Sequence, residues 1–125
     1  MALTTGLSAQ AELEVTDADT AIAIGSGDVP VLATPRLVAL CEQAACDALR
    51  PHLGQGQTSV GFRVEITHLV PVLVGSQVVA VTSVERTEGK RIVFNVTVTD
   101  RCGLVAAGKM VRVLVDTGTF LEKAR

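Results

Sequence analysis

Ala33-Thr34-Pro35-Arg36-Leu37-Val38-Ala39-Leu40-Cys41-Glu42-Gln43-Ala44-Ala45-Cys46-Asp47-Ala48-Leu49-Arg50 is the only long stretch of this sequence with a helical period. Leu37, Val38, Leu40, Cys41, Ala44, Ala45, Ala48 and Leu49 fall on one broad apolar face, and Arg36, Gln43, Asp47 and Arg50 form a polar stripe. Thr34 is placed as the N-cap. Pro35 then takes the first helical position, where a missing N–H costs nothing. The small side chains of Ala44, Ala45 and Ala48 let the helix lie close against a sheet. Glu42 does not join the polar stripe. It stacks with Val38, Ala45 and Leu49 beside the apolar face, one turn above or below each.

On either side of the helix the period changes from helical to alternating. Leu7, Ala9, Ala11, Leu13 and Val15 alternate with polar residues, as in a half-buried strand. Thr20 to Ile24 reads as a short second strand, and Gly25-Ser26-Gly27-Asp28-Val29-Pro30 as a flexible loop. No GK[ST] pattern makes that loop a phosphate cradle. The helix is expected to end near Pro51, before a loop containing His52. From Thr58 to His68, one face carries Val60, Phe62, Val64, Ile66 and His68; the other carries Ser59, Gly61, Arg63, Glu65 and Thr67. Gln77 to Arg86, Arg91 to Thr99 and Leu104 to Val115 are three more strands. Glu88-Gly89 and Asp100-Arg101-Cys102-Gly103 join them as antiparallel hairpins. Ala106, Gly108, Met110, Arg112 and Leu114 share a face of the last strand, with Arg112 a charge among small and apolar neighbours. The tail from Thr117 to Arg125 is expected to be loosely held.

The composition bounds the function. The 125 residues fit one domain, spanning 1–125, with a real core. At 48% hydrophobic and 19% charged, the chain is not a disordered one. A formal charge of −2 argues against general nucleic-acid binding, which needs basic charge to displace counterions. Phe62, Phe94 and Phe120 are the only aromatics, so valine and alanine must fill the core and no base-stacking platform exists. Cys41, Cys46 and Cys102 show no CxxC spacing, so neither a zinc site nor a disulfide framework is expected. Met1-Ala2-Leu3-Thr4-Thr5-Gly6 lacks a basic region followed by an apolar run, and no stretch reads as a membrane span. A cytoplasmic protein without membrane or nucleic-acid partners is the resulting expectation.

One helix against an antiparallel sheet is an α+β layer architecture. A helix this short cannot cover five or six strands, so a partner chain is expected to bury part of the sheet and at least one edge. That predicts a homodimer. The order strand, short strand, helix, then four strands in a meander resembles the hotdog fold. Within that fold the chain is similar to acyl-CoA thioesterases related to fluoroacetyl-CoA thioesterase. The matching segments are Val31-Leu32-Ala33-Thr34, Leu40-Cys41-Glu42-Gln43-Ala44, Val64-Glu65-Ile66-Thr67-His68, Glu88-Gly89-Lys90-Arg91 and Gly108 through Arg112. The Thr–Glu–His spacing is the specific part.

That resemblance implies a catalytic constellation of Thr34, Glu42 and His68, with Gly61 and Arg112 against the substrate. It implies no metal and no cofactor, CoA being part of the substrate. Each residue also has a plainer reading. Thr34 can simply cap its helix, Glu42 can reach solvent or pair with an arginine, and His68 can be a satisfied structural residue. Arg112 can serve only to pair with Glu42 or an aspartate. Gly61, opposite the apolar face of its strand, would let a thin acyl or pantetheine group pass the backbone. His52 reads as solvated, and Cys41 and Cys46 as packing residues.

The expected chemistry is hydrolysis of a small acyl-CoA. His68 would serve as general base, and Glu42 would attack the carbonyl or orient the water. Thr34 and the positive helix end would hold the carbonyl oxygen. Arg63, Lys90 and Arg91 are candidates for the CoA phosphates. The loop at 25–30 lacks the aromatic side chains that the fluoroacetyl-CoA-specific enzyme places there, so that selectivity is not expected. A non-catalytic acyl-CoA-binding or sensing module of the same fold is the alternative. A hydratase is disfavoured, because no Asp-x5-His arrangement surrounds His52 or His68.

Overall fold

The computed structural model describes residues 3–125. Met1 and Ala2, which belong to the stretch that carries no signal-peptide pattern, lie outside the described residues. Five strands form one antiparallel sheet: β1 (Ser8–Glu14), β2 (Gln57–His68), β3 (Gln77–Glu88), β4 (Arg91–Asp100) and β5 (Gly103–Asp116). Three α-helices accompany them among the described residues: α1 (Ala21–Ile24), α2 (Thr34–Leu49) and α3 (Thr117–Glu122). The sheet wraps α2, which packs chiefly on β1 and β3, and this is the hotdog arrangement. Leu37, Leu40 and Leu49 are fully buried with Phe94, Ile92 and Met110. Each such side chain contributes about 1.5 to 3 kcal/mol relative to exposure. Cys41, Ala44 and Ala45 are buried too, so the expected apolar face of α2 is the face that meets the sheet; Val38 is only half-buried.

Sheet order departs from the expected four-strand meander. It is β1-β3-β4-β5-β2, so only β3, β4 and β5 follow one another. β2 lies at one edge beside β5, and β1 at the other edge beside β3. Consecutive hairpins link β3–β4 and β4–β5. The loop after β2 is longer and crosses the fold, and Leu32 N–H donates to the Val72 carbonyl on the way (2.9 Å).

Three local expectations are also corrected. Thr20–Ile24 is not a strand: Thr20 Oγ1 accepts from Ala23 N–H (3.2 Å) and starts the single turn of α1. The competing principle is side-chain capping, which outweighs the β-leaning isoleucines. The tail is not merely loose, because Asp116 caps α3 by accepting from Thr119 N–H (2.9 Å). Thr34 is the first residue of α2 rather than its cap. Ala33 holds the cap position, with its N–H donated to the Asp19 carbonyl (2.9 Å) and its carbonyl taking the Leu37 N–H (3.0 Å).

The largest correction is in β2. Gly61 pairs with Arg112 and Arg63 with Val111, so Phe62 is an extra residue in a β-bulge. The alternation therefore reverses at Phe62. Ser59 and Gly61 join Val64, Ile66 and His68 on the face shared with Met110 and Arg112. Phe62 instead turns outward, 55% exposed, with the Arg91 guanidinium 4.5 Å from its ring centroid.

Candidate active site

Two polar clusters stand on α2, one at its first turn and one two turns along. At the first turn, Thr34 Oγ1 and His68 Nδ1 are 2.8 Å apart. His68 is the last residue of β2. The chain beyond it is anchored by the N–H groups of Leu69 (2.8 Å) and Val70 (3.3 Å), both donating to the Val105 carbonyl. Val105 is itself an extra residue in β5, where Val98 pairs with Ala106 and Thr99 with Leu104. This second bulge sets the position from which His68 reaches Thr34. The remaining ring nitrogen, Nε2, is enclosed without a hydrogen-bonding partner among the described residues.

The second cluster is centred on Arg112, 6% exposed. Its Nη1 donates to Glu42 Oε2 (3.0 Å), its Nε to Ser59 Oγ (2.9 Å) and its Nη2 to the Ser59 carbonyl (3.0 Å). A buried guanidinium needs such partners, because leaving a charge unpaired costs several kcal/mol. Gly61 lies under the same carboxylate: a Cβ there would stand 2.7 Å from Glu42 Oε2 and 3.7 Å from Arg112 Nη1. The bulge thus places Gly61 beside Glu42, on the opposite side from the one its spacing suggests.

The five residues singled out in the sequence therefore fall into two groups: Thr34 with His68, and Glu42 with Arg112 and Gly61. Among the described residues, Glu42 makes no hydrogen bond to Thr34 or His68. Eight helical steps separate Thr34 from Glu42, about 12 Å along the axis.

Two contributors escaped the sequence reading. Ser59 holds Arg112, but the straight alternation hid it behind the strand. Asp19 holds the start of α2: its Oδ1 accepts from Arg36 Nε (3.0 Å), and its carbonyl takes the Ala33 N–H. Thr16 N–H donates to Asp19 Oδ2 (2.8 Å), and the Thr16-x-x-Asp19 spacing was a legible signal of that turn. Burial pushes the Cys41 thiol up to about 12, helped by the neighbouring Glu42 charge, so Cys41 is a packing residue and no nucleophile.

A cavity of about 340 Å³ adjoins the first cluster. Thr34 and His68 line it together with the 25–30 loop and the segment after β2. No group of three or more potential metal ligands occurs among the described residues. No helix among them is long and apolar enough to cross a membrane.

The fold is that of the hotdog proteins, with the Thr34–His68 contact beside an apolar cavity. A thioesterase superfamily member from Thermus thermophilus has the same fold at a TM-score of 0.89 and 28% identity, covering 97% of this chain and 90% of that one. The structure of a fluoroacetyl-CoA thioesterase superposes at a TM-score of 0.94 with 23% identity, over 100% of this chain and 97% of the other. In sequence, the fluoroacetyl-CoA thioesterase of Streptantibioticus cattleyicolor is 28% identical over 95 residues, 76% of this chain and 68% of that protein. Residues 15–118 match the fluoroacetyl-CoA-specific thioesterase family. The chain belongs to that family, and it is a thioester hydrolase.

Proposed function

We propose that the protein hydrolyses the thioester of an acyl-CoA to a carboxylic acid and free CoA, using Thr34, Glu42 and His68. The observation that carries this reading is the 2.8 Å contact between Thr34 Oγ1 and His68 Nδ1 beside an apolar cavity. With the Nδ1 proton donated to Thr34, the threonine O–H is left for the carbonyl oxygen at the positive end of α2. The basic lone pair of His68 then lies on Nε2, the unpartnered ring nitrogen. Arg112 orients Glu42 through their ion pair, and Gly61 leaves the backbone clear beside it. The carboxylate either directs water or attacks the carbonyl. No cofactor beyond the CoA of the substrate enters this scheme, and Arg63, Lys90 and Arg91 are the candidates to meet its phosphates.

The same reading calls for a homodimer. β2 is a twelve-residue edge strand with unpaired backbone groups along one side, and Val64 on its inner face is 42% exposed. The distance between the two clusters within one chain is bridged if Glu42 of one protomer works with Thr34 and His68 of its partner. Such a chain is expected in the cytoplasm, acting without a membrane or nucleic acid.

Release of CoA thiol across an acyl-CoA panel tests the activity. His68→Ala and Glu42→Ala are expected to lose about 10²- to 10⁴-fold in kcat. If wild type and both variants share the same negligible turnover while still binding CoA esters, the protein is a non-catalytic binding module. Gel filtration showing a stable monomer would remove the dimer. Mixing the two inactive variants tests the shared site, because one site of each hybrid dimer would be intact. Recovery of about a quarter of the wild-type rate is expected from random pairing.

A further inference from the structure

The cavity beside Thr34 and His68 identifies the kind of acyl group this site takes, granted the hydrolase reading just given. Its walls are aliphatic: Val29 from the loop after α1, Val31 before α2, and Leu69 and Val70 beyond β2. Val29, Leu69 and Val70 are 55%, 54% and 43% exposed, an apolar surface open to water beside a reactive pair. No Asp, Glu, Lys, Arg, Phe, Tyr or Trp lines the cavity. The Thr34–His68 pair and Ser26 are its only polar side chains.

Small residues keep the space open. Gly27 passes so close to Ala21 that a Cβ on it would lie 3.3 Å from the alanine Cβ. The loop is held there by Gly25 and Ser26 N–H groups, each 2.9 Å from the Ala21 carbonyl. Val31 in turn accepts the Ala21 N–H through its carbonyl (2.9 Å). Its shape is therefore set by backbone bonds rather than by a side-chain plug.

Size and polarity then select the ligand. A carbon unit occupies roughly the 30 Å³ share of a water molecule, so an acetyl group would fill only about a fifth of the 340 Å³. A chain of six to eight carbons would fill about half to two thirds of it. A terminal carboxylate would enter an apolar space to which this protomer brings no cation, and the Arg112 that a shared site brings near is already engaged by Glu42 and Ser59. We propose that this cavity receives the acyl group and selects an uncharged aliphatic chain of about four to eight carbons.

Steady-state kcat/KM with acetyl-, butyryl-, hexanoyl-, octanoyl- and succinyl-CoA tests this. Expected is a rise of about fourfold per methylene from acetyl to hexanoyl, the equivalent of burying each CH₂. Succinyl-CoA is expected at least about a hundredfold below butyryl-CoA, which has the same carbon count. Val29→Phe, at an exposed loop position, is expected to lower the hexanoyl-to-acetyl ratio at least about tenfold. Acetyl-CoA matching hexanoyl-CoA, or succinyl-CoA matching butyryl-CoA, overturns the chain selection and leaves the hydrolase reading standing. Absence of turnover with every ester overturns both, and is recognised by that absence.

Discussion

Thr34, in the first turn of α2, and His68, the last residue of β2, meet through side-chain atoms 2.8 Å apart, across 34 positions of sequence. A pair in that contact acts as a unit. On the proposed roles, removing either partner is expected to remove the function of both, so that their effects are not additive. Thr34→Ala and His68→Ala are each expected to lower kcat by about 10²-fold or more. The double variant is expected to lie within about threefold of the weaker single one. Losses that multiply would show that the two residues act separately.

Gly61 and Gly108 give opposite outcomes when replaced by alanine. A Cβ at Gly61 meets the mobile end of Glu42, at 2.7 Å. The carboxylate can shift by a fraction of an ångström without leaving Arg112, so Gly61→Ala is expected to fold with stability changed by less than about 1 kcal/mol and to lose about 10²-fold in kcat. A Cβ at Gly108 meets the backbone, 2.0 Å from the Glu65 carbonyl oxygen. β2 must then part from β5, at an expected cost of about 2 kcal/mol or more. Urea midpoints and kcat on the same two preparations separate the cases. Equal destabilisation of both variants would contradict the contact assignment.

Asp19 gives the fold a dependence on acid. The Thr16 N–H holds its carboxyl below the ordinary carboxylate range; burial opposes this, and the Thr16 hydroxyl and Arg36 add to the lowering. The unfolded chain titrates near about 3.9, above the folded value. The stabilisation is thus complete above the unfolded value and is lost as pH falls through the folded one. Asp19→Asn is expected to lower Tm at pH 7 and to flatten the decline of Tm below about pH 4. Parallel Tm curves for the two proteins would exclude the carboxylate as the source.

The three cysteines differ in access rather than in kind. Cys102 is exposed, Cys46 half-buried and Cys41 buried, with its thiol pushed up to about 12. One thiol per chain is expected to react quickly with a disulfide reagent in the native protein. Cys41 should react only after denaturation. Rapid native labelling of Cys41 would place it outside the core.

Much was legible in the sequence because it was local. The period of α2 named its buried face, since residues three and four apart share a side whatever lies opposite. Alternation found β1, β3, β4 and β5 within one or two residues. Arg112 stood out among small apolar neighbours, and Glu42 beside an apolar face; their ion pair explains both.

The strand order and the bulges at Phe62 and Val105 were decided only in three dimensions. Whether β2 pairs with β3 or β5 depends on which edge offers complementary backbone groups, a choice no local period encodes. The extra residue at Phe62 is invisible to alternation, because a bulge is defined by two strands at once. That bulge carries Ser59 and Gly61 to the side of Arg112 and Glu42, so the site follows the register between β2 and β5. Sequence alone determined which side chains could do chemistry. Tertiary pairing determined which of them meet: Thr34 with His68, and Glu42 with Arg112.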